Sequence, residues 1–189
     1  MASVLKQRVL DTADTLFYAE GVRAIGIDRI IAESGIAKAS FYRFFVSKDA
    51  LITEWIDMRD RAWRLWLEDS VASLSPQAAG RPLAVFDALY ARFQLPQFRG
   101  CAFTNTIIEL SNSNHPGASA ARKHKEQVVA LLERYLIEAG QTSAKIAAAL
   151  AADLMLLVDG ALVTALREQK PEAALRAKRI AMLLLQAAH

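Results

Sequence analysis

Between Glu33 and Asp49 the chain carries Lys38, Arg43 and Lys48 and not one acid. Positive charge concentrated on so short an element suits a polyanion, and its extent suits a few phosphate groups. The rest of the chain does not share the bias. Residues 1–60 hold 8 basic and 9 acidic side chains, while the whole chain has a formal charge of +3 and a pI near 9.1. No metal site competes with this patch: His115 and His124 do not stand four apart and no E-x-x-H pair occurs. The single cysteine, Cys101, cannot form an intrachain disulfide or anchor a cysteine zinc site. It is expected to be a buried, inert thiol, since a redox role requires a lowered pKa, for which only the nearby Arg99 speaks. A nucleophile elbow, a phosphate loop and a dinucleotide fingerprint are all missing, so neither an enzyme nor a bound cofactor is expected.

The elements that must position the patch follow from composition and periodicity. Of 189 residues 53% are hydrophobic and 23% charged, which supplies a core and excludes disordered, collagen-like and disulfide-scaffold classes. With 8 Gly and 5 Pro in a chain rich in Ala, Leu, Arg and Glu, the expected class is all-α. Val9, Ala13, Leu16 and Phe17 recur at helical spacing and predict a helix over 5–20 that Gly21 ends. A second short helix is read from Ile27 to Ser34 behind an N-cap at Gly26, and a third from Ala37 to Phe45. Two short helices joined by a tight turn at Gly35 form the helix-turn-helix pattern. Ser47 reads as the N-cap of a long fourth helix reaching Leu74, about 25 residues or roughly 38 Å, enough to tie a small unit to a larger body. Further helices are expected at Leu83–Phe93, Cys101–Leu110, Ala118–Ala139, Ser143–Gln169 and Pro171–Ala187, interrupted by turn clusters at 75–82 and 111–117. The sum is about nine helices, a three-helix module over residues 1–47 and a helical bundle over 48–189.

The segment GIDRIIAESGIAKASFYRFFVSKDAL, residues 26–51, resembles the DNA-binding module of the TetR family of bacterial transcription regulators. The likeness rests on the inter-helix Gly35, the recognition helix, the aromatic Tyr42 and the Ser47-Lys48-Asp49 start of the next helix. Recognition helices enter the major groove by their N-terminal ends, so Lys38, Ala39 and Ser40 are the residues placed to reach base edges. Lys38 can donate to guanine O6 or N7, Ser40 can bond several bases, and Ala39 can lie against a thymine methyl. The resemblance gives phosphate contacts to Tyr42 and Lys48, and Arg43 is expected to join them or read a base. Two positions depart from the family pattern: Phe44 cannot donate a hydrogen bond where His or Tyr is common, and Ile25-Gly26 replaces a usual Thr.

For the C-terminal body the resemblance implies a homodimer built from the last two helices and a small-molecule effector site. The Ser143 helix is apolar nearly all round and must be covered on all sides. Its Leu154, Val158, Ala161 and Ala165, with Ile180, Leu183 and Leu184 of the last helix, are read as the dimer interface, although a second apolar side with Ile146, Leu150, Leu157 and Thr164 leaves open which face meets the partner. The stretch 146–166 is long enough to cross a bilayer, but Asp153 and Asp159 near its middle argue for burial between helices and against a membrane. Trp63, Trp66, Tyr90, Phe103, Asn105 and Glu109 are the candidate contacts for a moderately apolar effector. The expected function is a cytoplasmic one-component regulator, most simply a repressor, that holds double-stranded operator DNA until the effector binds. The alternative reading is an all-α carrier or small-molecule binding protein without sequence-specific DNA binding.

Overall fold

The computed structural model describes residues 2–112, 114–141 and 143–188, and among these it contains nine α-helices, one 3₁₀ turn and no strand. In chain order they are α1 (Ala2–Glu20), α2 (Ile27–Ser34), α3 (Lys38–Phe44), α4 (Lys48–Leu74), the turn Ala78–Gly80, α5 (Arg81–Phe93), α6 (Ala102–Leu110), α7 (Pro116–Glu138), α8 (Ala144–Glu168) and α9 (Ala173–Ala187). The chain is all-α, as its composition predicts. Four helix starts differ from expectation by two residues or more, α1 beginning at Ala2 rather than residue 5. α5 begins at Arg81 and α7 at Pro116, because a proline in the first turn gives up an N–H that has no helical partner there. α9 begins only at Ala173. Ser113, in the predicted turn cluster 111–117, lies outside the described residues.

Packing gathers these helices into two compact units, Met1–Arg61 with Ala102–His124, and Ala62–Cys101 with Lys125–His189. The partition differs from a cut at 47/48, because the first turns of α4, all of α6 and the start of α7 pack with the N-terminal helices. In the first unit Val9, Ala13, Leu16 and Phe17 of α1 are buried, as are Leu51, Ile52, Trp55 and Ile56 of α4. The Phe17 and Trp55 rings meet edge to face at 5.2 Å. Asp14 binds α1 to α4: its carboxylate accepts the Trp55 indole N–H at 2.6 Å and pairs with both the Nε and an Nη of Arg59. The Arg59 guanidinium also lies 4.1 Å from the centre of the Tyr18 ring, a cation–π contact. Deeper in the unit, Asp60 and His124 form a buried pair at 2.7 Å, and the imidazole stacks on Phe103 with ring centres 3.4 Å apart.

The second unit packs α5, α8 and α9 with the later parts of α4 and α7. Polar ties lie at its edges: Lys178 bridges both oxygens of Asp87 at 2.8 and 2.6 Å, and Arg81 meets Glu138 at 2.6 Å. Here the structure corrects the dimer reading. Leu154, Val158, Ala161 and Ala165 are 0 to 3% exposed within a single chain, so their surface is already spent in its own core. The face of α8 that the chain leaves uncovered is the opposite one, with Leu156 71% and Val163 57% exposed beside Ala149, Ala152, Asp153 and Gly160. On α9, Ile180 and Leu183 are exposed as expected, whereas Leu184 is half-buried against the core. α8 is also the one helix among the described residues long and apolar enough to cross a bilayer, yet nine of its residues are buried in this unit.

Candidate nucleic-acid interface

The reading helix is phased by its own core residues. Phe41 and Phe45 are buried and in contact, ring centres 5.6 Å apart, and Ile36 is buried beside them. At 100° per residue this turns Lys38, Ala39, Tyr42 and Arg43 outward, while Ser40 is half-buried. The turn before α3 is set by Gly35, whose φ of 63° is left-handed and whose N–H caps α2 by binding the Ile31 and Ala32 carbonyls. Arg8 of α1 donates to the Gly35 carbonyl at 3.2 Å and so ties the turn to the first helix. Of the residues nominated from the sequence, Lys38, Ala39, Tyr42 and Arg43 lie on the exposed face of α3, Ser40 is half-buried, and Lys48 stands at the start of α4.

Each cation of the patch has a different electrostatic setting. Lys38 pairs with Asp28 of α2 at 3.0 Å, and this partner holds the ammonium above its ordinary pKa. Arg43 is exposed, with its guanidinium 5.6 Å from the Phe44 ring. Lys48 is half-buried and donates to the Arg23 carbonyl at 3.4 Å; its burial pulls its pKa down. Ser47 caps α4 as expected, its hydroxyl accepting the Ala50 N–H at 3.1 Å. Asp49 in that first turn meets His115 at 3.1 Å. Arg29 is engaged by the Glu20 carboxylate at 2.7 and 2.8 Å and by Glu33 at 2.8 Å, a cage that raises its pKa and makes it a structural cation.

The effector candidates fall in both units. Trp63, Trp66 and Tyr90 belong to the second, where the two indoles meet edge to face at 5.7 Å and the Arg92 guanidinium lies 4.4 Å from Trp66. Trp66 also lines an open groove of about 340 Å³ with Ser70, Ser73, Leu74, Ala88, Ala91, Arg92 and Leu95. Phe103, Asn105 and Glu109 belong to the first unit, where Phe103 stacks on His124 and Glu109 accepts the Arg23 N–H. Sequence reasoning missed three residues that shape the interface or its support. Asp28, in the first turn of α2, meets Lys38 ten residues on across the turn, a pairing that helical periodicity does not mark. Glu109 was not linked to Arg23, nor Asp14 to Trp55.

A buried three-helix scaffold that presents a short basic helix beside a capped helix N-terminus defines a helix-turn-helix DNA-binding regulator. Comparison with known proteins agrees. The family model described as bacterial regulatory proteins, tetR family, matches residues 9–54. A TetR-family transcriptional regulator from Streptomyces coelicolor is 32% identical, with a TM-score of 0.86 over 97% of this chain and 89% of that one. The reduced form of Escherichia coli NemR has a TM-score of 0.82 at 22% identity, covering 95% of this chain and 96% of its own. Among curated sequences, an HTH-type regulator in the lacX 3' region of Lactococcus lactis is 26% identical over 134 residues, 70% of this chain. The E. coli repressor NemR is 24% identical over 132 residues, and each of these two alignments spans 66% of the relative's length. The chain belongs to the TetR family of bacterial transcriptional regulators and is not an enzyme.

Proposed function

We propose that this chain is a cytoplasmic one-component repressor that binds a pseudo-palindromic operator as a homodimer and releases it when a small, moderately apolar effector binds. Residues 1–47, with Lys48 at the start of α4, read the DNA, and the rest of 48–189 dimerises and takes the effector. The observation that carries this reading is the outward face of α3, where Lys38, Ala39, Tyr42 and Arg43 stand exposed over a core closed by Phe41 and Phe45. In a two-fold dimer two such helices would meet successive major grooves, about 34 to 36 Å apart. The uncovered apolar residues of α8 and α9, Leu156, Val163, Ile180 and Leu183 among them, support a dimer built through these two helices. Effector release requires that the ligand favour the conformation with the lower DNA affinity; Trp63, Trp66 and Tyr90, and Phe103 and Asn105, are the candidate contacts.

The test is selection of bound sequences from a random duplex pool by the purified protein, then footprinting of the winner. Enrichment of a pseudo-palindrome is expected, and recovery of no consensus at low salt defeats the reading. On the selected operator, Lys48→Ala should lower the salt slope of log affinity by about 1 per protomer, since each phosphate contact releases about one counterion. Tyr42→Phe removes one hydroxyl contact and should weaken binding several-fold with the melting temperature unchanged. If both variants bind as the native protein does, the phosphate assignment is wrong.

The Lys38–Asp28 pair gives a prediction of opposite sign. Both side chains are well exposed, so the pair adds little to stability. On DNA, Lys38 must leave Asp28 to reach a base, and Asp28 brings negative charge towards the phosphates. Asp28→Asn should therefore tighten DNA binding several-fold at low salt, with the gain shrinking as salt is raised. Fluorescence anisotropy at two salt concentrations checks this.

A further inference from the structure

The turn after α1, residues 21–23, is held from two sides. From α6, the Glu109 carboxylate accepts the Arg23 backbone N–H at 3.0 Å. The same carboxylate lies so close over Gly21 that a Cβ built there would stand 2.7 Å from either oxygen. Gly21 also has a φ of +91°, a left-handed backbone conformation that favours glycine, and a side chain there would push the Glu109 carboxylate aside. From α4, the Lys48 ammonium donates to the Arg23 carbonyl at 3.4 Å. Arg23 thus carries the α6 carboxylate on its N–H and the α4 lysine on its C=O. Three segments far apart in sequence converge on one residue of a turn.

We propose that Glu109 is a positioning residue for DNA binding: by fixing the Arg23 turn it fixes the carbonyl that aims the Lys48 ammonium at a backbone phosphate. The proposal rests on the DNA-binding reading above, and it moves Glu109 from the effector contacts to the support of the DNA interface. A lysine stem is long and freely rotating, and ordering it only when DNA arrives costs affinity. A carbonyl that holds the ammonium loosely, in a polar contact at the long end of the hydrogen-bond range, orders the stem yet yields readily to a phosphate. The Glu109 charge also favours the protonated ammonium, against the half-burial of Lys48.

The test uses the full-length protein and its selected operator, with affinity measured across a salt series. Glu109→Ala should weaken binding about 5- to 10-fold and lower the salt slope towards that of Lys48→Ala. Glu109→Gln, whose amide oxygen can accept the same N–H, should restore most of the affinity. Glu109→Asp, charged but one methylene short, should behave like the alanine variant and covers the case in which alanine fails to fold. In a Lys48→Ala background Glu109→Ala should have no further effect, which a general loosening of the domain cannot mimic. Unchanged or tighter binding by Glu109→Ala, or the same fold-loss on top of Lys48→Ala, overturns the proposal. If Lys48→Ala itself leaves the salt slope unchanged, the phosphate contact of Lys48 fails, and the positioning role falls with it.

Discussion

Leu156→Asp is expected to give a folded monomer whose operator affinity is lower by about 10³-fold, the order that separates specific from weak non-specific binding. Leu156 is 71% exposed in the single chain, so the change removes nothing from the chain's own core. At a two-fold interface the substitution is made twice, and it places two new carboxylates close to Asp153 in a surface meant to be dry. A monomer offers one reading helix where the operator needs two, and the loss of the second half-site accounts for the affinity. Sedimentation velocity and a thermal melt check the first part, operator titration the second. Leu154→Asp is the contrast: that residue is 0% exposed, and a carboxylate there should unfold the second unit. Persistence of the dimer in Leu156→Asp would assign dimerisation to another face.

Asp14→Ala should destabilise the protein by about 2 to 4 kcal/mol. The carboxylate serves two donors at once, and its loss strands both. The Trp55 indole N–H sits in a side chain only 1% exposed, and Arg59 is 19% exposed, so solvent replaces little of what they lose. Asp14→Asn should cost less, because an amide oxygen can still accept from Trp55 while only the charge pairing with Arg59 is lost. Urea melts at fixed protein concentration, followed by tryptophan emission, measure both. A loss under about 0.5 kcal/mol for Asp14→Ala would mean that the network contributes no more than an exposed surface pair.

The legible and illegible parts of this molecule separate on physical grounds. The outward face of α3 could be read because Phe41 and Phe45, four apart, set the rotational phase of a short helix with polar residues on its other side. The same reasoning could not separate the buried face of α8 from the uncovered one, where Leu154 and Leu156 are equally apolar and periodicity has little polar contrast to follow. Which leucine faces inward there depends on α5 and α9, and therefore on tertiary packing. The links from Asp14 to Trp55 and from Arg23 to Glu109 span 41 and 86 residues, and a sequence carries no local mark of such pairings. Ser47 and Gly35 were legible because capping and left-handed turns are decided by immediate neighbours. Pro116 and Pro171 were less so, since a proline permits a helix start without requiring one.

The pairing of Lys38 with Asp28 also bears on how such a protein would find its site. A repressor spends nearly all its search time on the wrong DNA, and every cation it presents prolongs each stay. If Lys38 reads a base edge as proposed, an acid that partly masks it until the base displaces it shortens those stays and leaves the contact available where the sequence is right. The Asp28→Asn protein would then hold DNA more firmly, discriminate less, and take longer to reach its operator in a crowded genome.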